Sequence, residues 1–127
     1  MRTIFLSLLL VTLFGCASNG PDLSPRMQAA YDKPLVCRGE QQCDLYWERV
    51  AFYINKHSRF KIQTSDKNLI QTYSPTGSSP YVGYNISREP LGNEAYRLWV
   101  KIWCDNMFGC HPDAYQEIAN VKIYVSK

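Results

Sequence analysis

A chain of 127 residues in which 46% are hydrophobic, with nine Tyr, five Phe and three Trp, holds enough apolar material for one small core and too little length for two domains. Its charged residues are interspersed without a block of one sign, which excludes a wholly disordered chain. The formal net charge of +3, one unit of which (Arg2) lies in a segment expected to be removed, is too weak to indicate nucleic acid as a partner.

In chain order, Met1-Arg2-Thr3 is a short positive segment and Ile4 to Leu13 an apolar run of about ten residues, short of the roughly 20 needed to span a bilayer core. This is the pattern of an export signal. The run passes into Leu13-Phe14-Gly15-Cys16, with Leu three residues before the cysteine and a small Gly directly before it. That sequence resembles the lipobox of bacterial lipoproteins. The resemblance covers only residues 1–16 and implies a processing class, not a functional family: diacylglycerol in thioether linkage on Cys16, cleavage before it, and a further acyl chain on the new amino terminus. At ~0.8 kcal/mol per buried methylene, two or three chains hold a protein on a membrane durably. Ala17 and Ser18 follow, without the Asp that retains lipoproteins in the inner membrane of enteric bacteria. The expected location is the cell envelope, on the periplasmic face of the outer membrane if the cell is Gram-negative.

The expected organisation is a signal peptide over 1–15, a lipidated tether over 16–34 and a domain over 35–127. Export places Cys37, Cys43, Cys104 and Cys110 in an oxidising compartment, where two disulfides are expected. Three pairings are possible; the spacing shared by Cys37-x5-Cys43 and Cys104-x5-Cys110 favours two local loops. Each would contribute about 2.4 kcal/mol in the chain-entropy model. A metal site on Cys104, Cys110 and His111 is disfavoured because the sequence has no Cys-x-x-Cys, and no metal or cofactor is expected.

The tether carries three prolines and few large apolar side chains; as a flexible chain it reaches ~25 Å, and Met27 to Tyr31 offers one helical turn at most. Trp47, Val50, Ala51 and Ile54 recur at helical spacing and predict a helix over 44–57 with Asp44 as N-cap. Phe60–Thr64 and Leu69–Tyr73 are β-prone runs around the turn residues Ser65 to Asn68 and predict a hairpin. A loop over 74–80, a third strand over Tyr81–Arg88, a break over Glu89–Glu94 and a fourth strand over Tyr96–Cys104 follow. Pro112 suits a first helical position and the acids after it a first turn, so a helix runs from there to about residue 120. Val121 to Val125 alternates and leaves helix or strand open. The fold class is α+β in two layers: an N-terminal helix, an antiparallel sheet of about four strands and a C-terminal helix.

The fourth strand has two unlike faces. Tyr96, Leu98, Val100 and Ile102 belong to a core, while Arg97, Trp99, Lys101 and Trp103 make either a platform for cell-wall glycans or a face whose indoles pack under a helix or the tether with the cationic stems alongside. The loop Asp105 to Gly109, closed by Cys104 and Cys110, presents Met107 and Phe108 to a protein partner unless Phe108 folds into the core. Thr76-Gly77-Ser78-Ser79 offers backbone amides to an anion but lacks the phosphate-loop spacing and lysine. Gly-x-Ser-x-Gly and His-Glu-x-x-His are absent, His57 and His111 fall at helix ends, and Asp44 and Glu48 lie on a solvated face. The expectation is a non-enzymatic, lipid-anchored binding module for an envelope protein or cell-wall glycan. The second expectation is a small inhibitor or immunity protein against a periplasmic or cell-wall hydrolase.

Overall fold

The computed structural model describes residues 22–127; the lipobox, with Cys16, and the first part of the tether lie outside the described residues. The remainder is α+β in two layers, with five strands rather than four.

Pro25 of the tether starts a helix instead of preventing one. Ser24 caps α1 (Pro25–Asp32), its hydroxyl accepting the Met27 amide at 3.3 Å, and Pro25 occupies the first turn, where its missing N–H leaves nothing unpaired. A helix this short is marginal alone. Packing on the C-terminal helix supplies what it lacks: Tyr31 and Tyr115 meet with ring centroids 5.5 Å apart, and Lys122 donates to the carbonyls of Tyr31 (2.6 Å) and Lys33 (3.0 Å). Residues 25–32, expected to be flexible, are therefore held against the domain. Burial, and then the neighbouring Arg97, lower the pKa of the Lys122 ammonium.

β1 (Leu35–Arg38) is the strand that sequence periodicity did not show, because four residues are too few to display alternation. It buries Leu35 and Cys37 and pairs antiparallel with the strand at 95–98. α2 (Glu40–His57) begins four residues before Asp44, so Asp44 is not its N-cap. Gly39, at φ 83°, turns the chain from β1 into the helix, and the Cys37–Cys43 disulfide joins the strand to the first turn. Cys43, Tyr46, Val50, Tyr53 and Ile54 form its buried stripe.

The hairpin β2 (Ile62–Ser65) and β3 (Leu69–Thr72) turns on Asp66, whose carboxylate accepts the amides of Asn68 (2.8 Å) and Leu69 (2.9 Å). β4 (Gly83–Gly92) extends past Arg88 because the break before β5 (Ala95–Trp103) is only a tight turn. Asn93 and Glu94 both have positive φ (49° and 59°), the geometry that matches strand twist in a two-residue hairpin. The sheet order is β1-β5-β4-β3-β2, with every neighbouring pair antiparallel.

α3 (Ala114–Val125) is capped by Asp113, which accepts the Gln116 amide at 3.0 Å; Pro112 precedes the cap rather than opening the helix. Residues 121–125 continue as helix, because Val121 and Val125 extend a buried stripe one turn at a time from Glu117. α2 and α3 bury the sheet face bearing Leu35, Ile70, Tyr84, Ile86, Leu98 and Ile102. Each fully buried aliphatic side chain stabilises by about 1.5–3 kcal/mol. Among the described residues no helix is long and apolar enough to cross a membrane.

Candidate functional site

Three places carry side chains that core packing does not account for. The first is the loop after β5. Cys104 and Cys110 are bonded to each other, which makes both disulfides local and removes these sulfurs as thiolate ligands for a metal. Between them Asp105 donates its amide to Ser79 O (3.1 Å), Asn106 donates its side-chain amide to Ser78 O (2.7 Å), and the Asp105 carboxylate accepts the Ser78 amide (3.2 Å). Within Thr76 to Ser79 the Ser78 amide thus receives an anion from this chain, the carboxylate of Asp105. Asn106 Oδ1 accepts the Phe108 amide (2.9 Å), and His111 donates its amide to Pro80 O (2.7 Å) just past the disulfide. Every one of these bonds fixes backbone; none involves the side chains at the apex. Met107 is 89% exposed and Phe108 92% exposed, so Phe108 does not fold into the core.

The second is the outward face of β5. Trp99 is 48% exposed, yet Arg97 lies over its ring at 3.8 Å and Glu89, across on β4, accepts its indole N–H. Trp103 is half-buried opposite Gly83: a Cβ on Gly83 would sit 3.3 Å from the Trp103 ring and 2.7 Å from Pro75. Lys101 lies over the Trp103 ring at 5.3 Å. Arg97, Trp99, Lys101 and Trp103 do come together as the sequence suggests. Each indole has a cation of the same strand over its ring, while Trp99 is 48% exposed.

The third was missed by sequence reasoning. Glu117 of α3 is 3% exposed, and its Oε1 accepts hydroxyl bonds from Tyr53 of α2 (2.7 Å) and Tyr84 of β4 (2.8 Å). Its Oε2 accepts the Asn120 amide at 3.2 Å. All three donors are neutral, so the carboxylate is satisfied by hydrogen bonds without a cation among them. Burial, and then donation to Glu117, push both tyrosine hydroxyls far above the ordinary value of 10.0. A cleft of about 540 Å³ opens here, lined also by His57, Tyr124 and Lys127. His57 stacks on Tyr53 at 3.9 Å between centroids and donates Nδ1–H to the Tyr53 carbonyl (2.9 Å), not to Glu117. The signal that would have found this site is a carboxylate on the i, i+4, i+8 stripe Glu117, Val121, Val125, which the open helix-or-strand reading of the tail concealed. His111 is exposed.

No protein-family model matches the chain, and no match to it was found among curated proteins or solved structures. Fold and sites define a small α+β domain with two local disulfides; its role rests on its own surfaces.

Proposed function

We propose that this protein is a non-enzymatic lipoprotein of the cell envelope, anchored through Cys16, that binds a protein partner with the tip of its disulfide-closed loop. The observation that carries the reading is the near-complete exposure of Met107 and Phe108 on a backbone held by one disulfide and by the hydrogen bonds to residues 78–80. Two adjacent large apolar side chains on a fixed backbone gain by entering an apolar cleft, and little ordering entropy opposes it. A glycan partner on the β5 face is less supported, because Arg97, Lys101 and Glu89 already engage the indoles. The form of the tip also supports the narrower alternative, an inhibitor or immunity protein that plugs the cleft of a cell-wall hydrolase.

The test is capture from detergent-solubilised envelope with the acylated protein as bait, comparing the wild type with Met107→Ala/Phe108→Ala and with Trp99→Ala/Trp103→Ala. Retention of one envelope protein by the wild type and the tryptophan variant, lost with the tip variant, is the expected result. Loss with the tryptophan variant alone would overturn the assignment to the tip. If the captured partner is a hydrolase, slowing of its lytic activity by the wild type and not by the tip variant identifies the inhibitor form.

A further inference from the structure

The cleft over Glu117 is independent of the tip and has a polarity of its own. Its floor is a buried carboxylate whose Oε1 is saturated by two hydroxyls while Oε2 takes a single bond, leaving acceptor capacity on that oxygen. Its walls are tyrosine rings: Tyr53 and Tyr124 stand 5.4 Å apart and Tyr53 and Tyr84 6.5 Å apart. His57 stacks on Tyr53 and Lys127 lies over Tyr124, so the open acceptor on Glu117, set among aromatic side chains, is what suits an organic cation. The rim is opposite in character, since the exposed Lys127 lines the same opening. The position of Lys127 is not left to chance: Arg49 donates to the carbonyls of Val125 (2.9 Å) and Lys127 (2.8 Å), and the Lys127 ammonium lies 4.4 Å from the Tyr124 ring centroid. Of the three rings, Tyr124 is thus the one that already meets an ammonium.

From this arrangement, negative and aromatic below and cationic at the rim, we infer that the cleft binds a small zwitterion of amino-acid or dipeptide size. Its ammonium points inward to Glu117 Oε2 and the tyrosine rings, and its carboxylate outward to Lys127. A bare amine would meet repulsion from Lys127, and a bare carboxylate repulsion from Glu117. Only a molecule carrying both charges at its two ends satisfies floor and rim together. A volume of about 540 Å³ leaves room for a molecule of this size.

The test is isothermal titration of the acylated protein in micelles with three probes: alanyl-alanine, propylammonium and propionate. Alanyl-alanine is expected to bind at least about tenfold more tightly than either single-charge probe. Lys127→Glu, an exposed change that leaves the fold intact, is expected to reduce alanyl-alanine to the level of propylammonium, with propylammonium itself bound no more weakly. Glu117→Gln, which keeps an acceptor for the two hydroxyls, is expected to weaken both ammonium probes. Propionate binding as tightly as alanyl-alanine, no binding by any probe at tens of millimolar, or no effect of Lys127→Glu would each overturn the inference. Met107→Ala/Phe108→Ala leaves alanyl-alanine binding unchanged, so failure at the tip and failure at the cleft are read separately.

Discussion

A carboxylate on the buried stripe of a helix is tolerated only where donors meet it, and at Glu117 there are three. Glu117→Ala would leave the hydroxyls of Tyr53 and Tyr84 and the amide of Asn120 without their acceptor. The expected loss is about 2–4 kcal/mol by urea unfolding, against a smaller loss for Glu117→Gln. A pH dependence follows from the same contacts. The tyrosine hydroxyls titrate higher in the folded protein than in the unfolded chain, so their contribution is complete below the unfolded value of 10.0 and is lost as pH climbs above it. Unfolding free energies from urea titration are therefore expected to fall between pH 10 and 11, by at most about 1.4 kcal/mol per pH unit for each tyrosine, and Tyr53→Phe to make that fall shallower. Gly83 makes a separate residue-scale prediction. With Pro75 standing 2.7 Å from where its Cβ would be, Gly83→Ala must displace Pro75 or Trp103, and about 1–3 kcal/mol of destabilisation is expected in the same assay.

At the scale of elements the two disulfides have equal spacing and unequal surroundings. Cys37–Cys43 is buried and ties β1 to the first turn of α2, whereas Cys104–Cys110, partly buried, closes a loop whose apex side chains Met107 and Phe108 are exposed. Replacing Cys37 and Cys43 by Ala is expected to lower stability by at least about 2.4 kcal/mol, since two buried sulfurs also leave a void. Replacing Cys104 and Cys110 is expected to change partner affinity more than the unfolding midpoint. Paired unfolding and binding measurements on both variants check this, and equal losses of stability would contradict it. The elements legible in sequence were those with a periodic face: the core of α2, the β2–β3 hairpin and the alternation of β5. Three others were hidden by local chemistry. β1 is too short for a period, α1 opens on a proline in a stretch that reads as linker and draws its stability from α3, and the turn at Asn93 and Glu94 was diluted among loop-forming residues from Glu89 onward. The site followed the same rule. Cysteine spacing pointed to the tip, while the cleft over Glu117 assembles from α2, β4 and α3 and has no contiguous signature.

For the whole molecule, what matters is that anchor, tip and cleft sit on separate parts of the chain. If Cys16 carries the proposed lipid, then with α1 docked from Pro25 onward residues 17–24 are what would connect it to the folded domain; fully extended they reach at most ~28 Å, which would keep the domain close to the membrane. Confinement of this kind raises the effective concentration of the tip toward partners in the same membrane without altering any contact. Cys16→Ser, exported without acylation, is accordingly expected to bind the captured partner in solution with unchanged affinity and to lose incorporation of a palmitate analogue. On reconstituted vesicles carrying the partner, the acylated form is expected to be retained after washing that removes the unacylated one. If the serine form bound more weakly in solution, the lipid or the residues beside it would belong to the contact, and the division between anchor and tip would fail. Continued incorporation of the palmitate analogue after Cys16→Ser would place the acyl chain on another residue.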